Sequence, residues 1–232
     1  MSEDGQERLH IHHNKWTFKL HPDTIPLALS NPSRRYASYV VESSEDDKFP
    51  GDAVGALAST ECLVDAKRIE FNGVFLGVEA FEALVSNPHL SGVRELGLIY
   101  CDWHFPTVGP LFGHGLARSH FRALEVLELS ELRLDDSAFE ALIGSPVVTQ
   151  LQSLSIRCLG LTDVSVQLLV DSPLWHRLES LSFHSQGFTD RALDILVKAP
   201  LPERLGHLDF EHARLNGTLV ALEERFGEIV EP

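Results

Sequence analysis

Apolar residues along this chain follow two alternating rhythms. From Leu124 to Pro146 the sequence reads LEVLELSELRLDDSAFEALIGSP. Nearly the same pattern returns from Leu151 as LQSLSIRCLGLTDVSVQLLVDSP, and from Leu178 as LESLSFHSQGFTDRALDILVKAP. Counted from the first apolar residue of each LxxLxL stretch, units begin at Ala66, Val93, Leu124, Leu151, Leu178 and Leu205. The intervals are 27, 31, 27, 27 and 27 residues. Such constant spacing marks a stack of structural repeats.

Each unit divides in two. Leu151, Leu154, Ile156, Leu159 and Leu161 carry the alternation of a short strand and its turn. A small polar pair follows, at Asp135, Thr162 and Thr189, whose side-chain oxygens suit a helix N-cap. The apolar residues then keep helical spacing: Phe139, Leu142, Ile143; Val166, Leu169, Val170; Leu193, Leu196, Val197. Pro88, Pro146, Pro173 and Pro200 close four units at one register, where a helix cannot continue. The pattern therefore predicts a strand, a turn and a helix per unit. Stacking would form a parallel sheet on one side and helices on the other.

These residues resemble the leucine-rich repeat family, in its longer ribonuclease-inhibitor-like subtype, over about residues 66 to 226. The shared pattern is LxxLxLxxCxL followed by a helix, and Cys101 occupies the position where that subtype often has cysteine. The resemblance implies an α/β solenoid, a curved parallel sheet with outer helices, of about six repeats. It also implies protein binding on the concave strand face. Position nine of the later units is Leu132, Leu159, Gln186 and Ala213, so the family's Asn or Cys ladder is expected to be absent.

Residues 1–65 do not match the repeat and are expected to cap it, leaving 66–232 as the repeat region with an acidic C-terminal cap. Within the first segment KWTFKL and YASYVVE predict strands, NPSRR a loop, SSEDDKFPGD an acidic loop, and Asp52–Asp65 a helix on the first repeat. The second unit is four residues longer than its neighbours. There Gly109-Pro110 is expected to break the helix, and residues around Gly113 to Ala117 to bulge at the convex side or rim.

The net charge of −15 argues against nucleic acid and anionic membranes as partners, since both require clustered cations. Three widely spaced cysteines, Cys62, Cys101 and Cys158, exclude a CxxC zinc site and fit a reducing cytoplasm. The polar N-terminus has no apolar stretch that suits a secretory signal, and no apolar run is long enough to span a membrane.

Alternate strand positions point away from the core. Taking the third, fifth, seventh and eighth of each unit as outward-facing gives two columns of stacked residues: Ser130, Arg157, His184, Glu211, and Glu70, Gly97, Glu128, Ser155, Ser182, Asp209. Candidate partner contacts on this face are Ile99, Tyr100, Glu128, Arg157, His184, Asp209 and Glu211. The irregular unit adds Phe105 and Phe112. Acidic side chains outnumber basic ones there, which favours a partner with a basic surface. His184 near Ser182 and Ser185 invites a hydrolase reading, but no nucleophile elbow of the GxSxG kind supports it. His10 to His13 form the one local histidine cluster, with no carboxylate or cysteine at a completing spacing. No phosphate loop, dinucleotide fingerprint or HExxH is present.

The expectation is a non-enzymatic cytoplasmic binding module, an adaptor or subunit of a larger assembly, with no cofactor, metal or catalytic residue. Two rivals stand beside it. One is an architectural subunit contacting through its ends or convex helices. The other is a scaffold for an enzyme or metal site in the N-terminal segment.

Overall fold

The computed structural model describes residues 9–12, 15–20, 37–42, 51–74, 76–101, 109–210, 222, 225–227 and 230–231. Ten strands form one sheet in sequence order: β1 (Leu9–His12), β2 (Lys15–Leu20), β3 (Ser38–Glu42), β4 (Arg68–Asn72), β5 (Glu95–Ile99), β6 (Val126–Arg133), β7 (Ser153–Leu159), β8 (Ser180–His184), β9 (His207–Asp209) and β10 (Val230–Glu231). β1 and β2 are antiparallel; every later neighbouring pair is parallel. From β3 to β9 the described residues of each crossover contain one α-helix. These are α1 (Gly51–Ala58), α2 (Val78–Ser86), α3 (Gly109–Arg118), α4 (Asp136–Ile143), α5 (Asp163–Asp171) and α6 (Asp190–Lys198). The chain is thus α/β, with helices alternating with the strands of a parallel sheet.

The LxxLxL residues supply the buried face. Ile69, Phe71, Leu96, Leu98, Leu127, Leu129, Leu154, Ile156, Leu181, Phe183 and Leu208 form one apolar cluster with the helix residues Phe81, Leu84, Phe139, Leu142, Val166, Leu169, Leu193 and Leu196. Each such side chain contributes about 1.5–3 kcal/mol when fully buried. Phe139, Phe183, Phe188 and Phe210 run through this core with successive ring centroids 5.0–5.4 Å apart. Trp175, fully buried in the turn after α5, donates from its ring nitrogen to the Pro200 carbonyl at 2.7 Å and ties one unit to the next.

The polar pairs at the helix starts serve as caps and also as links between units. The side chain of Asp135 accepts from the Ala138 amide, Thr162 from Val164 and Thr189 from Arg191. The following acid reaches the next unit. Asp136 accepts from the Thr162 amide at 2.9 Å, from its hydroxyl at 2.7 Å, and from the Ser165 hydroxyl. Asp163 takes the same two bonds from Thr189. Burial pushes the Asp136 carboxyl up, but the bonds from Ser165 and Thr162 outweigh it and hold the group below its ordinary range.

The segment 1–65, expected to cap the repeat, contributes β1–β3 and α1 to the same layers. β3 pairs with β4 in register from Ser38↔Arg68 to Glu42↔Asn72, and Tyr39, Val41, Val54, Leu57 and Ala58 join the common core. Buried Asn87 links α1 to the end of α2, donating to the carbonyls of Ala58 and Thr60 and accepting from the His89 amide. One sequence expectation, for the long unit, needs correction. Gly109-Pro110 opens α3 instead of breaking it, because a proline in the first turn removes no helical hydrogen bond. Gly113 to Ala117 lie inside that helix, and the two glycines face its neighbours. A Cβ on Gly113 would stand 2.5 Å from the Ala138 carbonyl oxygen, and one on Gly115 would stand 2.4 Å from the Phe81 ring. Trp103, Phe105 and NPSRR lie outside the described residues, as do most of the acidic loop and of the C-terminal cap.

Gly113→Ala should therefore destabilise the protein by about 1–3 kcal/mol despite alanine's better helix propensity, because α4 backbone blocks the added methyl. Gly206→Ala, where the nearest atom is 3.9 Å from the new Cβ, should leave the urea midpoint nearly unchanged. Asp136 predicts an acid dependence. A carboxyl held low in the fold stabilises it above the unfolded value of about 3.9, and that contribution is lost as the pH falls through the folded value. Urea midpoints measured from pH 6 downward should fall less steeply for Asp136→Asn than for the wild type, which starts higher.

Candidate recognition face on the strand side of the sheet

The helices cover one side of the sheet, so the alternate strand residues form a separate face. Strand register stacks them in rows across the sheet. One row is Arg68, Glu95, Val126, Ser153, Ser180, His207. The next is Glu70, Gly97, Glu128, Ser155, Ser182, Asp209, and a third is Asn72, Ile99, Ser130, Arg157, His184. On β3 two residues of this face, Ser38 and Val40, are buried, and Glu42 at the strand's end is exposed.

Charge is concentrated on β4 to β6. The Arg68 guanidinium bonds Glu70 at 2.5 Å and Glu95 at 3.4 Å. Gly97 has no side chain to separate Glu70 from Glu128, and Glu70 lies over it, 3.1 Å from where a Cβ would be. Burial pushes the Glu128 carboxyl above its ordinary range, the charge of Glu70 adds to this, and Arg68 and Arg157 oppose it. The Arg68 guanidinium is itself held above its usual value: burial lowers it, but the bond to Glu70 and the charges of Glu70, Glu95 and Glu128 prevail.

On β8 and β9 the pattern is different. His184 is 6% exposed, and its Nε2 lies 2.8 Å from Asp209 Oδ2. The Ser182 hydroxyl donates to the same carboxylate oxygen at 3.0 Å and lies 3.2 Å from the same ring nitrogen. In a hydrolytic triad the serine and the acid occupy opposite nitrogens of the imidazole, so that the ring can accept the serine proton. Here both meet Nε2 and the serine proton is given to Asp209. This arrangement differs from that of a triad.

The eighth position of each unit separates the strands into two kinds. In the first three units it is Gly73, Tyr100 and Glu131, with φ of 66°, 54° and 57°. The left-handed residue makes a local bulge, visible where the β6–β7 register slips between Ser130 and Leu132. The ninth residue then turns inward: Val74, Cys101 and Leu132 are buried. The next two units lack this residue, so Cys158 and Ser185, expected on the open face, are themselves buried. Three side chains at these inward positions donate to carbonyls of the preceding unit: Cys101 to Phe71, Cys158 to Leu129 at 3.6 Å, and Ser185 to Leu161 at 2.7 Å. In the second unit this donor stands at position nine; in the fourth and fifth it stands at position eight. Burial pushes the Cys158 thiol up to about 12, so it stays a protonated donor.

Of the candidate contacts, Tyr100 is 38% exposed, Arg157 is exposed, and Ile99, Glu128 and Asp209 are half-buried. His184 is placed on this face, but its ring is covered and engaged by Asp209. That differs from the exposed contact expected, because its neighbours on β8 and β9 fold over it. Glu211 and Phe105 lie outside the described residues; Phe112 belongs to α3, but its side chain lies outside them. His10 and His12 stand on β1 opposite Thr17 and Lys15, and His13 lies outside the described residues. Among the described residues, no group of three or more His, Cys, Asp or Glu is placed to hold a metal ion. None of their helices is long and apolar enough to cross a membrane. Strand alternation alone had placed Arg68, Glu70 and Glu95 on this face. Their ion pairing, and the part played by Gly97, depend on side-chain directions that alternation does not contain.

Glu128 predicts a measurable effect. A carboxyl raised in the fold means that stability is greatest below its unfolded value of about 4.3 and declines as the pH rises through that value to the folded one. Glu128→Gln should therefore raise the urea midpoint at pH 7, with the gain shrinking as the pH approaches 4. A lower midpoint for the variant at pH 7 would contradict the repulsion from Glu70. No protein-family model matches the chain, and no curated protein matches it.

Proposed function

We propose that the chain is a leucine-rich-repeat-type solenoid that acts as a non-enzymatic binding module, an adaptor or subunit of a larger assembly, and recognises a protein partner on its concave strand face. The observation that carries this reading is the asymmetry of the sheet. One side is closed by helices into a continuous core, while from β4 to β9 the other presents ordered rows of charged, hydroxyl and aliphatic side chains. A rigid parallel sheet loses little conformational entropy when something docks on it. The Cys101, Cys158 and Ser185 bonds between units and the α-helix in each crossover support the repeat family named above.

Tyr100 supports the reading independently. A bulky residue at φ 54° is held at a cost, since the left-handed region suits glycine, and glycine occupies the equivalent place in the preceding unit. A large aromatic kept exposed in a strained position on this face fits a contact residue. The buried free thiols of Cys101 and Cys158 fit a cytoplasmic setting.

The test compares retention of partners from native extract by the wild type and by a Tyr100→Gly, Arg157→Ala double variant, with circular dichroism showing both folded. Glycine suits the backbone of residue 100, so the fold should persist. A protein held by the wild type should be lost by the variant at least tenfold, about 1.4 kcal/mol. Val164→Asp, on the exposed side of α5, should retain it. Equal retention by the double variant and loss by Val164→Asp would move the interface to the helices.

A further inference from the structure

The strand face is not uniform, and its β4–β6 portion has a definite chemistry. Glu70, Glu95 and Glu128 converge there around one guanidinium, that of Arg68, which is already shared by Glu70 and Glu95. Glu128 is the member of this group for which no ion pair closer than 4 Å is seen among the described residues. Its nearest acid, Glu70, reaches toward it across Gly97. A residue with a side chain at 97 would fill this row; glycine leaves no side chain between Glu70 and Glu128. Along the neighbouring row Val126, 37% exposed, stands next to Glu95, and Ile99 lies half-buried two residues beyond Gly97. The surface therefore offers negative charge beside short aliphatic contacts, the environment that a long basic side chain matches with both its charged end and its stem.

Resting on the reading of this face as a protein-binding surface, we propose that the Glu70–Gly97–Glu128 row receives an arginine or lysine side chain of the protein partner. Charge complementarity selects the occupant: an added cation here meets three carboxylates, Glu70, Glu95 and Glu128, set against Arg68 and the more distant Arg157 of β7, whereas an added anion meets the carboxylate excess. The raised Glu128 carboxyl agrees with this, because in the free protein its ionised form is opposed by burial and by Glu70. The charge is retained at a cost to the isolated fold, and a basic side chain docked above Gly97 would compensate it. Arginine suits the site better than lysine, since its planar fork can bond two carboxylates at once.

The probe is a short blocked peptide, acetyl-(Gly-Arg)3-amide, titrated into the isotope-labelled full chain and followed through amide chemical shifts at low ionic strength. An acetyl-(Gly-Glu)3-amide peptide serves as the opposite-charge comparison. The expected result is a saturable shift centred on Glu70, Gly97 and Glu128, with at least fivefold weaker binding to Glu128→Gln, and no saturable response to the acidic peptide. Glu128→Gln is predicted above to fold more stably than the wild type, so its loss of binding cannot come from unfolding. Unchanged binding to this variant would overturn the proposal, as would shifts centred elsewhere or an equal response to both peptides. The broader reading fails separately. A partner whose retention needs Tyr100 and Arg157 but is indifferent to Glu128→Gln would leave the strand face as the interface and remove only the basic-residue site.

Discussion

A parallel strand reaches its neighbour only through a crossover, and in the β3–β9 region the described residues of each crossover contain one α-helix, laid on the same side of the sheet. One side of every strand is therefore committed to the helices, and register then places equal positions of successive units next to each other. Leu96, Leu127, Leu154, Leu181 and Leu208 form one such buried row. No unit could bury its own leucines alone, so the core exists only as a property of the stack. The exposed rows follow from the same register: a residue on one strand face is bound to have its counterparts beside it.

Smaller interactions keep that register true from unit to unit. At one end of the strands, side chains of Cys101, Cys158 and Ser185 bond carbonyls of the unit before. At the helix starts, Asp136 and Asp163 grip the capping threonines of the unit after. These bonds satisfy backbone and hydroxyl groups that would otherwise be left unpaired where the chain turns. Left-handed residues at Gly73, Tyr100 and Glu131 adjust the turn in the first three units, and in the fourth the left-handed residue follows the inward one, at Gly160 with φ 108°. Units of the same length thus close by two different routes.

The rows on the open face give the molecule a chemical polarity. The β4–β6 portion carries partly buried carboxylates in excess of cations, and Glu128 bears the strain of that excess. On β8 and β9 a serine, a histidine and an aspartate are tied together by hydrogen bonds and are partly withdrawn from solvent.

Much of this was legible in the chain alone. The spacing of Leu124, Leu151 and Leu178 implies the strand–helix alternation, because only stacking can bury such a pattern. Thr162 and Thr189 announce their helices because a hydroxyl before a helical stripe caps it. YASYVVE is readable as a strand, but its place in the same sheet was not, since Tyr39 and Val41 do the work of the leucines without their motif. Tertiary structure decided the rest. It turned Gly113 and Gly115 from a supposed bulge into close helix contacts, a matter of how near α3 approaches its neighbours. It buried Cys158 and Ser185 through a one-residue difference in a bulge, and it drew His184 onto Asp209. Periodicity determines which way a side chain starts from the backbone; what the side chain then meets depends on neighbours in the adjoining units, and those distances exist only in the folded chain.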